Sequence, residues 1–185
     1  MSARSALLLI DIQQGLDDPR HGERSTPEFE GKLKQLLAAW RKSGRPVVHV
    51  QHMSAEPDSL LRPELPGNAF KREAIPKDGE PVFQKRTSCA FLGTGLEVHF
   101  RELGIEQLVL VGLTTDHCVS STARMASDIG FKVTVVSDAT AAHERRAADG
   151  SLVSAAEMQR ASLASLQGEF ATIKSTAELL ASAER

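Results

Sequence analysis

Three residues in this chain could together perform covalent chemistry on a small molecule: Asp11, Lys85 and Cys118. Cys118 lies in GLTTDHCV, at the predicted start of a helix, where unpaired backbone N–H groups and a nearby ammonium lower the pKa of a thiol. We therefore expect a thiolate near neutral pH. Asp11 could take the thiol proton and return it to a leaving amine, with Lys85 as the charge beside them. These roles predict cleavage of a C–N bond.

Each residue alone also has an ordinary structural interpretation. Cys118 could be a small packing residue, Asp11 a turn residue and Lys85 a solvated surface charge. What favours chemistry is position, because each follows a different apolar run: LLLI before Asp11, PVF before Lys85 and LVLV before the glycine that leads to Cys118. The carboxyl ends of parallel strands meet at one edge of a sheet, where ligands bind.

The elements that must position these residues are strands and helices in alternation. Six apolar runs predict strands buried on both faces, at residues 6–10, 46–50, 81–83, 108–111, 133–136 and 170–173. Thr26 and Pro27 predict the start of a helix whose apolar residues recur at helical spacing until Gly44. Capping boxes predict helices over about 95–103 and 155–166 and another after Ser175. The fold class is therefore α/β, with a mainly parallel sheet and helices on both faces.

The 185 residues predict one domain spanning 1–185, interrupted by a proline-rich stretch at about 52–79 that we interpret as a surface loop or lid. The 22 basic and 24 acidic residues form no block that would bind a nucleic acid or a membrane surface. Asp11 interrupts the N-terminal apolar run, which predicts a cytoplasmic protein. The two cysteines do not favour a structural disulfide in a chain of this size.

Three separated motifs resemble the isochorismatase-like cysteine hydrolases, a group that includes isochorismatases, nicotinamidases and N-carbamoylsarcosine amidohydrolase. They are ALLLIDIQQ, QKRTSCAFLG and LVLVGLTTDHCVSSTARMASDIGFKVTVVSDATAA. The resemblance spans nearly the whole chain. It implies a three-layer Rossmann-like fold with a six-stranded parallel sheet. It also implies a catalytic triad of Asp11, Lys85 and Cys118, the same residues that strand position indicates.

The resemblance further implies a non-proline cis peptide before Thr114. The backbone N–H groups of Thr114 and Cys118 would then form an oxyanion hole for a tetrahedral intermediate. Gln13 and Phe91 match positions that lie near the pocket in relatives, as polar and apolar wall. Relatives of this kind act on small molecules and are often homodimers or homotetramers, so we expect a small-molecule substrate and one of these assemblies.

Departures from the family narrow the chemistry. The nicotinamidase branch carries an Asp-x-His metal motif after strand two, where this chain has VVHVQHMSAE. His49 and His52 would point to opposite faces of a strand, so we expect no metal and no other cofactor. The branch that hydrolyses the vinyl ether of isochorismate typically lacks the cysteine. Cys118 therefore favours an amidohydrolase.

Two other classes of function stay open beside that vinyl ether chemistry. One is a non-catalytic flavodoxin-like binding domain, because a fold does not determine a function. The other is a redox sensor in which Cys118 oxidises and Cys89 resolves it as a reversible disulfide.

Overall fold

The computed structural model describes residues 4–181 and contains one six-stranded parallel sheet with strand order β3-β2-β1-β4-β5-β8. Every neighbouring pair is parallel, which confirms the predicted α/β class and sheet. A short antiparallel hairpin, β6 with β7, lies outside this sheet. The strands are β1 (Ser5–Ile10), β2 (Val47–His52), β3 (Val82–Lys85), β4 (Gln107–Leu113), β5 (Lys132–Ala141), β6 (Arg145–Arg146), β7 (Leu152–Val153) and β8 (Thr172–Lys174).

Helices cover both faces of the sheet, because every residue of β1 is buried and its alternate side chains need apolar partners on each side. Leu7 and Leu9 pack against α1 and α5, whereas Leu8 and Ile10 belong to a second core cluster with α2, α3 and α4. The result is a three-layer structure. The helices are α1 (Phe29–Lys42), α2 (Leu96–Glu102), α3 (Ser120–Asp128), α4 (Ala155–Leu166) and α5 (Thr176–Ala181). None of these helices, within the described residues, is long and apolar enough to cross a membrane.

The start of α1 differs from the prediction. Thr26 has a left-handed backbone (φ 57) and does not cap the helix, which begins at Phe29 after Glu28 without a side-chain cap. The physical reason is that Ser25 is bound to the end of β5: its N–H donates to Ala142 O, and its hydroxyl accepts from Ala142 N. The chain must turn sharply at Thr26 before the helix can begin. By contrast, the capping box of Ser154 at the start of α4 is present as predicted.

The stretch at 52–79 contains two single helical turns, Pro66–Asn68 and Arg72–Ala74, and otherwise irregular backbone. Buried polar side chains hold it in place. Asn68 donates to the carbonyls of His52 and Leu61, and the ammonium of Lys71, only 3% exposed, lies 2.7 Å from Glu30 on α1. The segment is therefore anchored to the body of the protein at Lys71, and Asn68 ties its chain together internally.

Candidate active site

Asp11 is the first residue after β1, and its backbone leaves the strand in a left-handed conformation (φ 50). An aspartate tolerates this region better than most residues do, because its short side chain can bond locally. Its N–H still donates to Val50 O at 3.0 Å, so the turn begins while the chain is bound to β2. The side chain is thereby directed into a buried site, where Asp11 is 1% exposed.

Lys85 is the last residue of β3, and its ammonium contacts both of the other predicted residues, Asp11 and Cys118. Its Nζ lies 2.6 Å from Asp11 Oδ2 and donates to Cys118 Sγ at 3.4 Å. The same ammonium donates to His52 Nδ1 at 3.1 Å and to Thr87 O at 3.0 Å. The structure therefore brings Asp11 and Cys118 together around the buried ammonium of Lys85.

Cys118 is positioned by an unusual segment after β4. Gly112 (φ 128) passes so close to β1 that an added Cβ would lie 2.1 Å from Ile10 O. The following Leu113–Thr114 peptide bond is cis, as the resemblance implies. The chain then forms a π-type turn, Thr115–Val119, closed by a bond from Val119 N to Thr114 O. Cys118 thus lies in this wide turn, and α3 begins only at Ser120.

The protonation states correct one prediction. Burial raises the pKa of Cys118 to about 12; the charge of Asp11 adds to this rise, and Lys85 opposes it. Burial also raises the pKa of Asp11, although the charge of Lys85 and a hydrogen bond from Cys118 oppose that shift. The expected neutral-pH thiolate is therefore wrong. The resting site holds a protonated Cys118 beside Asp11, whose affinity for protons is increased.

His52 is a site residue whose role sequence reasoning missed. It pairs directly with Lys85 across β2 and β3, which places its imidazole against the ammonium. Burial and the charge of Lys85 lower its pKa, so it accepts from Lys85 as a neutral ring. The signal in the sequence was its place at the end of the second apolar run, one strand from Lys85.

A pocket of about 200 Å³ opens beside Asp11 and Cys118 at the carboxyl edge of the sheet. Part of its wall comes from the segments around His21 and Ser59 and from the residues that follow β5. The volume suits a small molecule. The lining residues are Asp11, Leu16, His21, His52, Ser59, Leu61, Leu113, Thr114, His117, Cys118, His143 and Arg145.

Gln13 and Phe91 are not among these lining residues. The fully buried amide of Gln13 binds the backbone of the 52–79 segment, accepting from His52 N at 2.8 Å and donating to His52 O and Asn68 O. Phe91 packs against Phe100 and Phe131 in the core. Gln13 therefore holds a wall of the pocket from behind, and Phe91 belongs to the packing beneath it.

The two histidines of β2 lie on opposite faces of the strand. His49 is buried with its Nε2 2.9 Å from Glu80 Oε2, whereas His52 contacts Lys85. Across residues 4–181, no three His, Cys, Asp or Glu side chains are grouped as a metal site would require. Cys89 and Cys118 are both free thiols.

Both the sequence and the fold of this chain are similar to those of known proteins. The isochorismatase domain model matches residues 5–178. An uncharacterized isochorismatase family protein of Bacillus subtilis (strain 168) is 39% identical over 180 residues, 97% of this chain and 96% of that protein. A crystal structure of an isochorismatase-family protein from Chromobacterium violaceum ATCC 12472 has a TM-score of 0.94 at 43% identity, covering 97% of this chain and 93% of that one.

A relative of named activity is the maleamate amidohydrolase of Pseudomonas putida, 29% identical over 150 residues, which are 72% of this chain and 70% of that protein. The residues matched by the isochorismatase domain model include every strand of the sheet. This chain belongs to the isochorismatase family and is a hydrolase of that family.

Proposed function

We propose that this hydrolase cleaves an amide-type C–N bond of a small molecule through a thioester on Cys118. The observation that carries the proposal is the position of Lys85 Nζ, in contact with both Asp11 and Cys118 beside a small pocket. A buried thiol, a carboxylate and an ammonium in mutual contact form a nucleophile with its proton acceptor and a fixed positive charge. The amidohydrolase named among the relatives supports the same class of bond.

The first half of the reaction forms the thioester. The Cys118 thiol gives its proton to the Asp11 carboxylate while the sulfur attacks the carbonyl carbon. The backbone N–H groups of Thr114 and Cys118 would stabilise the oxyanion of the tetrahedral intermediate. The intermediate collapses, the C–N bond breaks, and the nitrogen leaves as ammonia or an amine with the proton from Asp11.

The second half releases the acid. Water gives a proton to Asp11 and attacks the thioester carbonyl, the C–S bond breaks, and the sulfur recovers its proton from Asp11. The pKa values fit this shuttle, because burial makes Asp11 a stronger base and disfavours a free thiolate of Cys118. Proton transfer then accompanies attack on carbon, and Lys85 compensates whichever group carries the negative charge.

Ammonia release from a panel of small primary amides and lactams tests the proposal. We expect Cys118→Ala to reduce turnover by about a thousandfold or more, because no other group replaces the nucleophile. Cys89→Ala is the matched control, since Cys89 is the other free thiol and does not line the pocket. Intact-protein mass should show an acyl adduct on the wild type during turnover. Ammonia release that persists in Cys118→Ala would overturn the thioester on Cys118.

A further inference from the structure

The ammonium of Lys85 has fewer hydrogens than it has partners. An ammonium carries three N–H donors, whereas four acceptor atoms among the described residues lie within 3.4 Å of Lys85 Nζ. They are Asp11 Oδ2 at 2.6 Å, Thr87 O at 3.0 Å, His52 Nδ1 at 3.1 Å and Cys118 Sγ at 3.4 Å. The four acceptors therefore compete for three hydrogens.

Among these partners, His52 is a neutral side chain that the fold holds against the ammonium. Its backbone N–H donates to Gln13 Oε1 at 2.8 Å, and the pairing of β2 with β3 sets it opposite Lys85. Burial and the charge of Lys85 lower the pKa of His52, so the ring is neutral near pH 7. A neutral imidazole that accepts at Nδ1 carries its proton on Nε2. His52 therefore takes one hydrogen of the ammonium.

The number of hydrogens is sufficient when Cys118 has given its proton to Asp11. Asp11 is then neutral, and the sulfur anion, Thr87 O and His52 Nδ1 each receive one hydrogen. The structure already has this arrangement, because within residues 4–181 the hydrogen bonds of Lys85 Nζ go to these three atoms, and its contact with Asp11 is an ion pair. Transfer of the proton inside the site is therefore compatible with every contact of the ammonium.

The number of hydrogens is insufficient when the thiol proton leaves for solvent. The site then holds two anions, the Asp11 carboxylate and the Cys118 thiolate, and four acceptors again compete for three hydrogens. A buried anion that lacks a donor is costly, and the side chain of Asp11 is only 2% exposed. By way of Lys85, His52 therefore adds to the cost of a free thiolate.

We propose that His52 is a positioning residue that occupies one hydrogen of the Lys85 ammonium, so that the ammonium can satisfy one anion but not two. The thiol proton then stays within the pair of Asp11 and Cys118 while the sulfur attacks carbon. This inference rests on the proposed function only for that attack on a carbonyl carbon. The competition for hydrogens is a property of the resting site and is measured without an amide.

Two substitutions separate the acceptor of His52 from its shape. His52→Asn places an amide oxygen close to the position of Nδ1, whereas His52→Leu has the same branching at Cγ and no acceptor. Alkylation of Cys118 by iodoacetamide forms an S–C bond, releases iodide and sends the thiol proton to solvent. We expect His52→Leu to raise this rate at pH 8 by about tenfold, because the freed hydrogen stabilises the thiolate. His52→Asn should stay within about threefold of wild type.

Cys89 is the internal control, because it is the other free thiol and does not line the pocket. Peptide mass gives the rates at both cysteines in one sample. A rate at Cys118 in His52→Leu that is equal to or below that of wild type would overturn the proposal. Equal acceleration in both variants, or at both cysteines, would overturn it as well, since the loss of the ring or a looser fold would then be the cause.

A measurement on the wild-type protein does not depend on the folding of a variant. Long-range ¹H–¹⁵N NMR of the assigned histidine rings distinguishes the two neutral tautomers from each other and from the imidazolium. We expect His52 at pH 7 to carry its proton on Nε2 and to have an unprotonated Nδ1. A proton on Nδ1 would overturn the proposal, because that nitrogen could not accept from Lys85.

Ammonia release from the amide panel keeps the two proposals distinct. If release depends on Cys118 but the alkylation rate does not depend on the acceptor of His52, the amidohydrolase stands and the role of His52 falls. If no amide reacts and alkylation is faster in His52→Leu but not in His52→Asn, the role of His52 stands and the amidohydrolase falls.

Discussion

Lys85 Nζ and Asp11 Oδ2 lie 2.6 Å apart, and their side chains are 0% and 2% exposed, so they form an ion pair almost fully removed from water. Burying two charges is unfavourable unless each has its partner and further hydrogen bonds. Lys85 obtains these from His52 and Thr87. The pair is therefore a coupled unit, and the loss of either member leaves the other as an uncompensated charge.

The coupling predicts strongly non-additive stability. Asp11→Asn or Lys85→Met alone should lower the free energy of unfolding by about 3–5 kcal/mol, because each leaves one buried charge unpaired. The double variant should lose clearly less than the sum of the two single losses. Urea denaturation of the four proteins measures these values. Additive losses would show that the two side chains do not share a charge balance.

The protonation states predict an inverse relation between catalysis and thiol reactivity. Burial and the charge of Asp11 raise the pKa of Cys118 to about 12, so the thiol stays protonated below that value. The iodoacetamide rate should rise about tenfold per pH unit from pH 7 to 10, without levelling near the ordinary cysteine pKa of about 8.5. Asp11→Asn should lower the thiol pKa and speed alkylation at pH 8 while abolishing turnover.

Slower alkylation in Asp11→Asn would mean that Asp11 acts as a general base toward the alkylating agent as well. The raised pKa of Cys118 also predicts how the free energy of unfolding depends on pH. A pKa raised in the folded state stabilises it below the unfolded pKa of the thiol, and that contribution is lost as pH rises toward 12.

Gln13 should affect the site through the wall that it holds. Gln13→Ala removes the partner of His52 N and one of the two donors to each of the carbonyls of His52 and Asn68, which should lower the free energy of unfolding by about 1–3 kcal/mol. We also expect a lower turnover, because His52 contacts the Lys85 ammonium. Gln14→Ala is the matched control, since Gln14 is exposed and its side chain makes one hydrogen bond, to Phe70 O. Equal unfolding curves for the two variants would contradict the anchoring role.

Two glycines should respond to alanine with opposite signs. Gly112→Ala places a Cβ against Ile10 O and requires a left-handed backbone, so we expect a loss of about 4 kcal/mol or a failure to fold. Gly31→Ala adds a Cβ in open space within α1, which should stabilise by about 1 kcal/mol. Thermal denaturation measures both. A well-folded, stable Gly112→Ala protein would refute the close approach of β4 to β1.

The sheet and the gathering of Asp11, Lys85 and Cys118 could be predicted because they follow from short-range signals. Apolar runs define strands, and parallel strands gather the residues at their carboxyl ends. The pKa of Cys118 could not be predicted, because its direction depends on how deeply the neighbouring segments bury the thiol. A helix start exposed to solvent would have given the opposite sign.

Arg145 escaped prediction because AAHERRAADG looks like an ordinary polar surface segment. Arg145 lines the pocket and pairs with Asp116, which lies 29 residues away in the sequence. The two-residue strand that carries Arg145 is too short to show a period. Thr26 failed as a helix cap for a similar reason, since the hydrogen bonds of Ser25 with Ala142 connect distant parts of the chain.

Strand β3 lies at the edge of the sheet, so it is bound to a neighbouring strand on one side only, and its outer side chains, such as Val82, are exposed. Edge elements with few buried contacts open locally at a lower free energy than the core does. Lys85 is the last residue of this strand. Opening of β3 would withdraw the ammonium from between Asp11 and Cys118 while the other five strands stay folded. A local opening of this four-residue strand would therefore break the contacts of Lys85 with Asp11 and Cys118 without unfolding the rest of the sheet.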